Sequence, residues 1–286
     1  VDGRPMPYSS NTCTRVASVK RGEPYLIDAI TQPLKLMDIK PQNYEAVTDV
    51  SLRGSLSTGF RAPSLQQQFF QSTATNFIGG VPFDVRTFAV DNPTAIALGS
   101  EPLKAEESTN YGLGLVLQPI DGLYITADAY RIDIKGRISL SENLIGTAVT
   151  TFLQNRGIFG VTGGRYFTNA VDTKTTGVDL IGTYGWTVDS GRVELTAGYN
   201  HSKTEIERIA PNPPQLTSGG LNLQRIGRVE QGRITVGAPR DKFMLGGNWN
   251  TGHRTFSSTA TRYGEFTVLF DAVATTPTRD QTYGPE

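Results

Sequence analysis

The chain has 286 residues, 27 basic and 27 acidic side chains, and an apolar content of 37%. Zero net charge gives no electrostatic footprint for nucleic acid, so little apolar material argues against one large core, and no run of about twenty apolar residues offers a transmembrane helix. The 31 glycines suit a sheet with one wet face, and any membrane role falls to strands.

Cys13 is the sole cysteine, without a disulfide partner and without Cys or His companions at metal-ligand spacing. It reads as an incidental thiol. The chain opens at Val1 with no basic-then-apolar leader. The expectation is a piece of a longer protein, or a mature or trimmed form.

Residues 1–48 carry Pro5, Pro7, Pro24, Pro33 and Pro41 and no sustained period, with Tyr25–Ile30 as a weak candidate strand. They read as loop or as the remnant of an earlier strand. From residue 50 period-two alternation predicts about eight strands. The first sets Val50, Leu52, Leu56 and Phe60 against Ser51, Arg53, Ser55 and Ser57 and runs out at Arg61-Ala-Pro63, because proline lacks a ladder N–H. Next come Tyr111, Leu113, Leu115 and Leu117, then a turn at Pro119-Ile-Asp-Gly122, then Leu123, Ile125, Ala127 and Ala129. Beyond Tyr130 the parity flips, and Ile132 and Ile134 become the apolar set. A bulge produces that, and so does a strand leaving the membrane, where alternation is no longer enforced.

Leu144, Ile145, Ala148, Val149, Phe152 and Leu153 recur at helical spacing, with Ser141 expected as N-cap and Gly157 as stop. A shorter helical turn is expected at Pro93–Leu98. Later strands carry Val178, Leu180 and Tyr184; Val193, Leu195, Ala197 and Tyr199; Phe243, Leu245 and Trp249; and Phe256, Ser258 and Ala260. A last one is expected to start near Asp280. Connections at 118–122, 187–191 and 250–252 are short, while those at 61–105, 138–168, 203–240 and 267–279 are long, in strict alternation. Short turns on one rim and long loops on the other is the layout of an outer-membrane barrel. Trp186, Trp249 and Tyr124, beside the short turns, are expected in an aromatic girdle.

Few residues invite catalysis. His201 and His253 lack a metal or triad arrangement and read as solvated lumen, rim or turn residues. Glu106 and Glu107 are adjacent and face opposite ways on a strand, so they cannot pair as acid and base. Gly112-Leu-Gly114 lacks the rest of a dinucleotide fingerprint. No catalytic residue, metal site or cofactor is expected, and the chain is not read as an enzyme. Ligand contacts are sought in the loops. At the base of 61–105, Gln66, Gln67, Gln68, Phe69 and Phe70 combine amides with aromatic faces, suited to a polar organic ligand or to packing the loop on the rim.

The phrases Ser57-Thr-Gly-Phe-Arg-Ala-Pro-Ser64 and Leu103-Lys-Ala-Glu-Glu-Ser-Thr-Asn-Tyr-Gly-Leu-Gly114 resemble the late-barrel signature of TonB-dependent outer-membrane receptors. Thr168–Leu180 and Asp280–Gly284 resemble the same family, and Ala105 departs from its more usual proline. The resemblance covers about residues 50–286. It implies an all-β fold, an antiparallel transmembrane β-barrel seen incompletely as about eight strands of a larger plugged barrel, in the cell outer membrane. Residues 49–286 would be barrel, and 1–48 show neither a plug nor a TonB box. The implied function is capture of a scarce ligand and its TonB-coupled import, with outer-membrane lipid, TonB through a plug domain, and a small-molecule or oligomeric nutrient as partners, and no nucleic acid. A small passive barrel serving as pore, adhesin or anchor is the alternative, and a soluble β-sandwich binding module a further one.

Overall fold

The computed structural model describes residues 17–19, 49–78, 81–217, 221–270 and 279–285, with side chains from residue 50 onward except 74–85. Cys13 and the candidate strand Tyr25–Ile30 lie outside the described residues. Thirteen strands are described in chain order: β1 Ala17–Val19, β2 Asp49–Arg61, β3 Ser72–Ile78, β4 Val81–Phe88, β5 Glu106–Ile120, β6 Leu123–Leu140, β7 Leu144–Ile145, β8 Gly163–Val188, β9 Gly191–Ile209, β10 Asp241–Asn250, β11 Thr255–Tyr263, β12 Phe266–Val268 and β13 Gln281–Tyr283. Five short helices interrupt them: α1 Leu65–Phe69, α2 Pro93–Ala97, α3 Thr147–Gln154, α4 Pro214–Thr217 and α5 Arg228–Thr235.

One antiparallel wall runs in the order β1-β2-β5-β6-β8-β9-β10-β11. Its strands follow one another through the tight turns and long loops read from the sequence. β13 is the exception: it pairs with β12 in a separate two-stranded sheet, where Phe266 stacks on Tyr283 at 4.9 Å. The segment near Asp280 therefore belongs to the loop end and not to the wall.

Register carries the two faces across the wall. Leu52, Leu115, Ala127, Leu180, Tyr199 and Phe243 lie side by side, and the next row is Val50, Leu117, Ile125, Gly182, Ala197 and Leu245. Leu113, Leu180, Phe243 and Leu245 on this face remain 46 to 60% exposed. Among the described residues nothing packs on this broad apolar surface, which argues against the sandwich reading, since that needs each oily face covered. An uncovered apolar face of this kind is what a strand wall built to span a membrane presents.

At the short-turn end that face ends in stacked aromatics, Tyr184 on Trp186 at 5.2 Å and Trp249 on Phe256 at 5.6 Å. Tyr124 is not among them. It pairs with Thr183 one residue out of phase with Ile125 and shares the opposite face with Thr126 and Asp128. A one-residue step in a strand reverses the face.

Toward the loop end the same outer face turns ionic, with Arg131 bound to Asp133 at 2.9 Å and Lys203 to Glu205 at 2.6 Å. The β5–β6 register is unbroken from Leu117/Ile125 to Glu107/Lys135. There is no bulge at Tyr130, so the parity flip marks strands leaving the apolar band. β8, with 26 residues, is about 85 Å long at ~3.3 Å per residue, far beyond the ~10 residues a tilted span requires.

The inner face is polar and cross-linked. Arg53 donates to both carboxylate oxygens of Asp128, two strands away, the Nε bond being 2.9 Å. Gly114 on the strand between permits this: a Cβ there would lie 2.1 Å from Asp128 Oδ1 and 2.5 Å from Arg53 Nε. We expect Gly114→Val to lower the unfolding free energy of the full-length barrel in vesicles by about 1–3 kcal/mol in urea titrations. Gly182→Val, where an added Cβ meets nothing within 4 Å on the lipid side, should change it by less than about 0.5 kcal/mol. Equal losses at both sites would contradict the assignment of faces.

Candidate functional site at the loop end

β8 outruns the wall, and its upper end is what the loops build on. β4 adds to it in parallel through Arg86↔Gly164 and Phe88↔Tyr166, and β7 adds antiparallel through Leu144↔Gly164. Gly164 is required by the close approach, since a Cβ would strike Arg86 O at 2.3 Å and the Phe88 ring at 2.4 Å.

On this small sheet sits a hydrophobic core drawn from three connections: Phe88, Ala95 and Leu98; Leu144, Val149, Phe152 and Leu153; Leu216 and Leu221; all around Tyr166. Tyr166 is fully buried, and its hydroxyl donates to Leu98 O at 2.9 Å. Burial drives its ionisation well above the ordinary tyrosine range. Among the described residues the larger buried core therefore lies at the loop end.

Local sequence explains the short helices. α2 begins with Asn92 Oδ1 accepting from Thr94 N at 2.9 Å and Pro93 at the first position, as expected from residues 93–98. α3 buries Val149, Phe152 and Leu153, and Gly157, at φ +77°, closes it. Its start corrects the sequence reading: Leu144–Ile145 form β7, the cap position is Gly146, and Ser141 lies buried below with its Oγ accepting from Tyr166 N at 3.1 Å. Pairing with β8 overrides helical spacing at 144–145.

Gln66, Gln67, Gln68, Phe69 and Phe70 all fall in or beside α1, just after β2. Ser64 and Gln67 form a reciprocal cap, each side chain accepting from the other's N–H at 3.1 Å. Gln68 Nε2 donates to Pro63 O at 3.1 Å. These two amides hold the loop. Gln66, Phe69 and Phe70 are exposed, beside Leu65. The two histidines stay apart: His201 Nδ1 contacts Asp241 Oδ1 at 2.8 Å, and Tyr199 donates to the same oxygen at 2.7 Å, while His253 is an exposed turn residue.

The sequence reading missed a second feature. A cavity of about 780 Å³ lies beside α5, lined among others by Glu142, Asn143, Asn222, Gln231, Thr235 and Thr267. Glu142 is 8% exposed, at the start of α5, where a Cβ on Gly227 would meet its Oε2 at 2.4 Å. Burial raises its carboxyl, against the pull of the Glu230 and Val229 N–H groups and Arg233. Behind it Glu230, 6% exposed, pairs with Arg233. Burial dominates there too, and with Glu142 nearby lifts Glu230 from 4.5 to about 7 in spite of Arg233 and Arg165. Nothing in the local sequence announces these carboxylates, because the groups burying them come from residues some 85 positions away.

A carboxyl that holds its proton more tightly when folded stabilises the fold in acid, and that stability is lost as pH rises from 4.5 to about 7. Glu230→Gln should therefore raise the local stability of α5, measured by hydrogen exchange against the native protein, by on the order of 3 kcal/mol at pH 8 and by little at pH 4. An equal effect at both pH values would contradict the burial argument.

Residues 43–284 match the family model "TonB dependent receptor-like, beta-barrel". Among solved structures, a mutant of the ferric enterobactin receptor PfeA from Pseudomonas aeruginosa aligns over 83% of this chain and 29% of its own, with 17% identity and a TM-score of 0.47. The ferripyoverdine receptor of the outer membrane of Pseudomonas aeruginosa aligns over 83% and 24%, with 12% identity and a TM-score of 0.41. The copper transporter OprC aligns over 77% and 24%, with 16% identity and a TM-score of 0.41. The chain thus spans under a third of the length of these structures. A comparison with curated proteins gives no match.

Proposed function

Since the chain belongs to the TonB-dependent receptor β-barrel family, whose members reside in the outer membrane, we propose that it supplies part of the wall and the outer loops of a plugged transporter that captures a scarce ligand for TonB-coupled import. The observation that carries the reading is the division of labour along β8. Its lower half stands in an apolar band, while its upper end supports a packed cluster of loops. A passive pore requires no such core above the membrane. A receptor does, because recognition groups on loops must be held in place before a ligand arrives.

In this proposal the exposed Gln66, Phe69 and Phe70 contact the ligand from α1, and Gln67 and Gln68 keep α1 shaped. TonB acts through a plug domain, and the apolar face meets lipid. Amide and aromatic contacts suit a polar organic nutrient or an organic metal chelate.

The test is nutrient uptake by cells carrying the complete gene. We expect one scarce nutrient whose accumulation is lost on deleting the gene and lost equally when TonB is removed. Accumulation that persists without TonB would support the passive barrel instead. With that nutrient in hand, Phe69→Ala with Phe70→Ala should weaken its binding about tenfold, whereas Gln67→Ala should act by loosening α1, by about 1 kcal/mol. Unchanged binding in the double variant would remove α1 from the site.

A further inference from the structure

Register alone assembles a row of charge on the inner face of the wall. Across β5, β6, β8, β9 and β10 it reads Gly114, Asp128, Asp179, Asn200 and Lys242. Asp128 and Asp179 are directly opposite on adjacent strands, where Cβ atoms stand roughly 5 Å apart and like charges repel. Asp128 has its cation, because Arg53 reaches it over Gly114. The mirror-image solution is closed to Asp179. Lys242 also stands two strands away, but the strand between carries Asn200 where the other carries glycine. Asn200 Nδ2 donates to Asp179 Oδ1 at 2.5 Å, and the Lys242 ammonium lies over the Tyr263 ring, 5.4 Å from its centroid. Among the described residues Asp179 thus has an amide donor and no ion-pair partner.

Its neighbours Val178 and Leu180, on the opposite face, are 45 and 46% exposed, so the carboxylate stands at the depth of the apolar band. An ionisable group there, with a second carboxylate beside it, calls for a partner of opposite charge. The wall around it also breaks the polar lining. Two residues toward the short turns, Ile181 faces the lumen beside Thr126 and Val116 and is 42% exposed. Four residues from Asp128 toward the loops, Ile132 faces the same way. A water-filled pore has a polar lining, and a free metal ion has no use for apolar side chains. The surface of a folded protein offers basic and apolar groups together.

We propose that Asp179 is a docking point for the polypeptide domain that occupies the lumen, a basic side chain of that domain donating to the Asp179 carboxylate and an apolar one covering Ile181. The contact rests on the plugged reading and assigns it an anchor on this wall. It is local to β8 and its neighbours, so the lumen elsewhere stays open to water. Displacing the domain requires this ion pair to break, which makes Asp179 one of the groups that set how hard the domain must be pulled.

The experiment is conductance of the complete protein in planar bilayers as urea is raised. The native protein should stay closed until urea loosens the lumenal domain, and then open. Asp179→Asn keeps an acceptor for Asn200 and loses the charge, so it should open at about 1 M less urea. Asp179→Glu keeps the charge and should open with the native protein. Ile181→Ser should also open early, and it decides the matter if Asp179→Asn does not assemble. Heat resistance of the wall, read from mobility in SDS gels, should be the same in all of them; a role confined to the wall would lower it. An unshifted threshold in Asp179→Asn, an equally early opening in Asp179→Glu, or a parallel loss of heat resistance would overturn the proposal. Native channels open without urea would remove the plugged reading along with it, whereas a closed native protein with an unshifted Asp179→Asn threshold would remove this contact alone.

Discussion

A strand at membrane depth has no water for its N–H and C=O groups, so each must find its partner on a neighbouring strand. The rest of the structure depends on that ladder. Once the backbone is committed to it, side chains can only alternate, one to lipid and one to the lumen, and the register that satisfies the backbone also aligns the oily residues into rows. Leu52, Leu115, Ala127, Leu180, Tyr199 and Phe243 form such a row although they are scattered over nearly two hundred positions. The inner face then carries polar links such as Arg53 with Asp128, which must reach over a glycine because an intervening side chain would block them.

Above the band the constraint lapses and water returns. There the outer face accepts ion pairs, and β8 continues as a rigid post on which the loops assemble. This order of events accounts for an unusual distribution of packing. Among the described residues the strands have one oily face left uncovered, while the loops, which must hold their shape in water, pair with the upper end of β8 and bury a core around Tyr166. The buried carboxylates Glu142 and Glu230 lie in the same loop region, held by packing between connections distant in sequence.

The wall was legible in the sequence because period two survives wherever one side meets lipid. Short and long connections were equally plain, since turns and loops differ in length and in glycine and proline content. What was not legible depended on partners distant in sequence. Ser141 looked like a helix cap, and Leu144 and Ile145 like the first turn, until β8 claimed them as β7. Tyr124 looked like a girdle residue from its place beside a turn, but register puts it inside. The strand near Asp280 was visible, while its pairing with β12 instead of the wall was not. Of the five candidate ligand residues, spacing could not tell that Gln67 and Gln68 use their amides on the loop itself. Glu142 and Glu230 gave no sign at all, because their burial is made by other loops.

The central claim is that one face of this wall meets lipid and the other meets water. Spin labels at Leu180, Leu195 and Leu245, and at their inner-facing neighbours Asp179, Thr196 and Met244, in the complete protein in vesicles, test it most directly. The account predicts that collisions with oxygen dominate at the first three and collisions with a water-soluble nickel chelate at the second three, alternating residue by residue. Chelate access at all six positions would contradict the membrane wall.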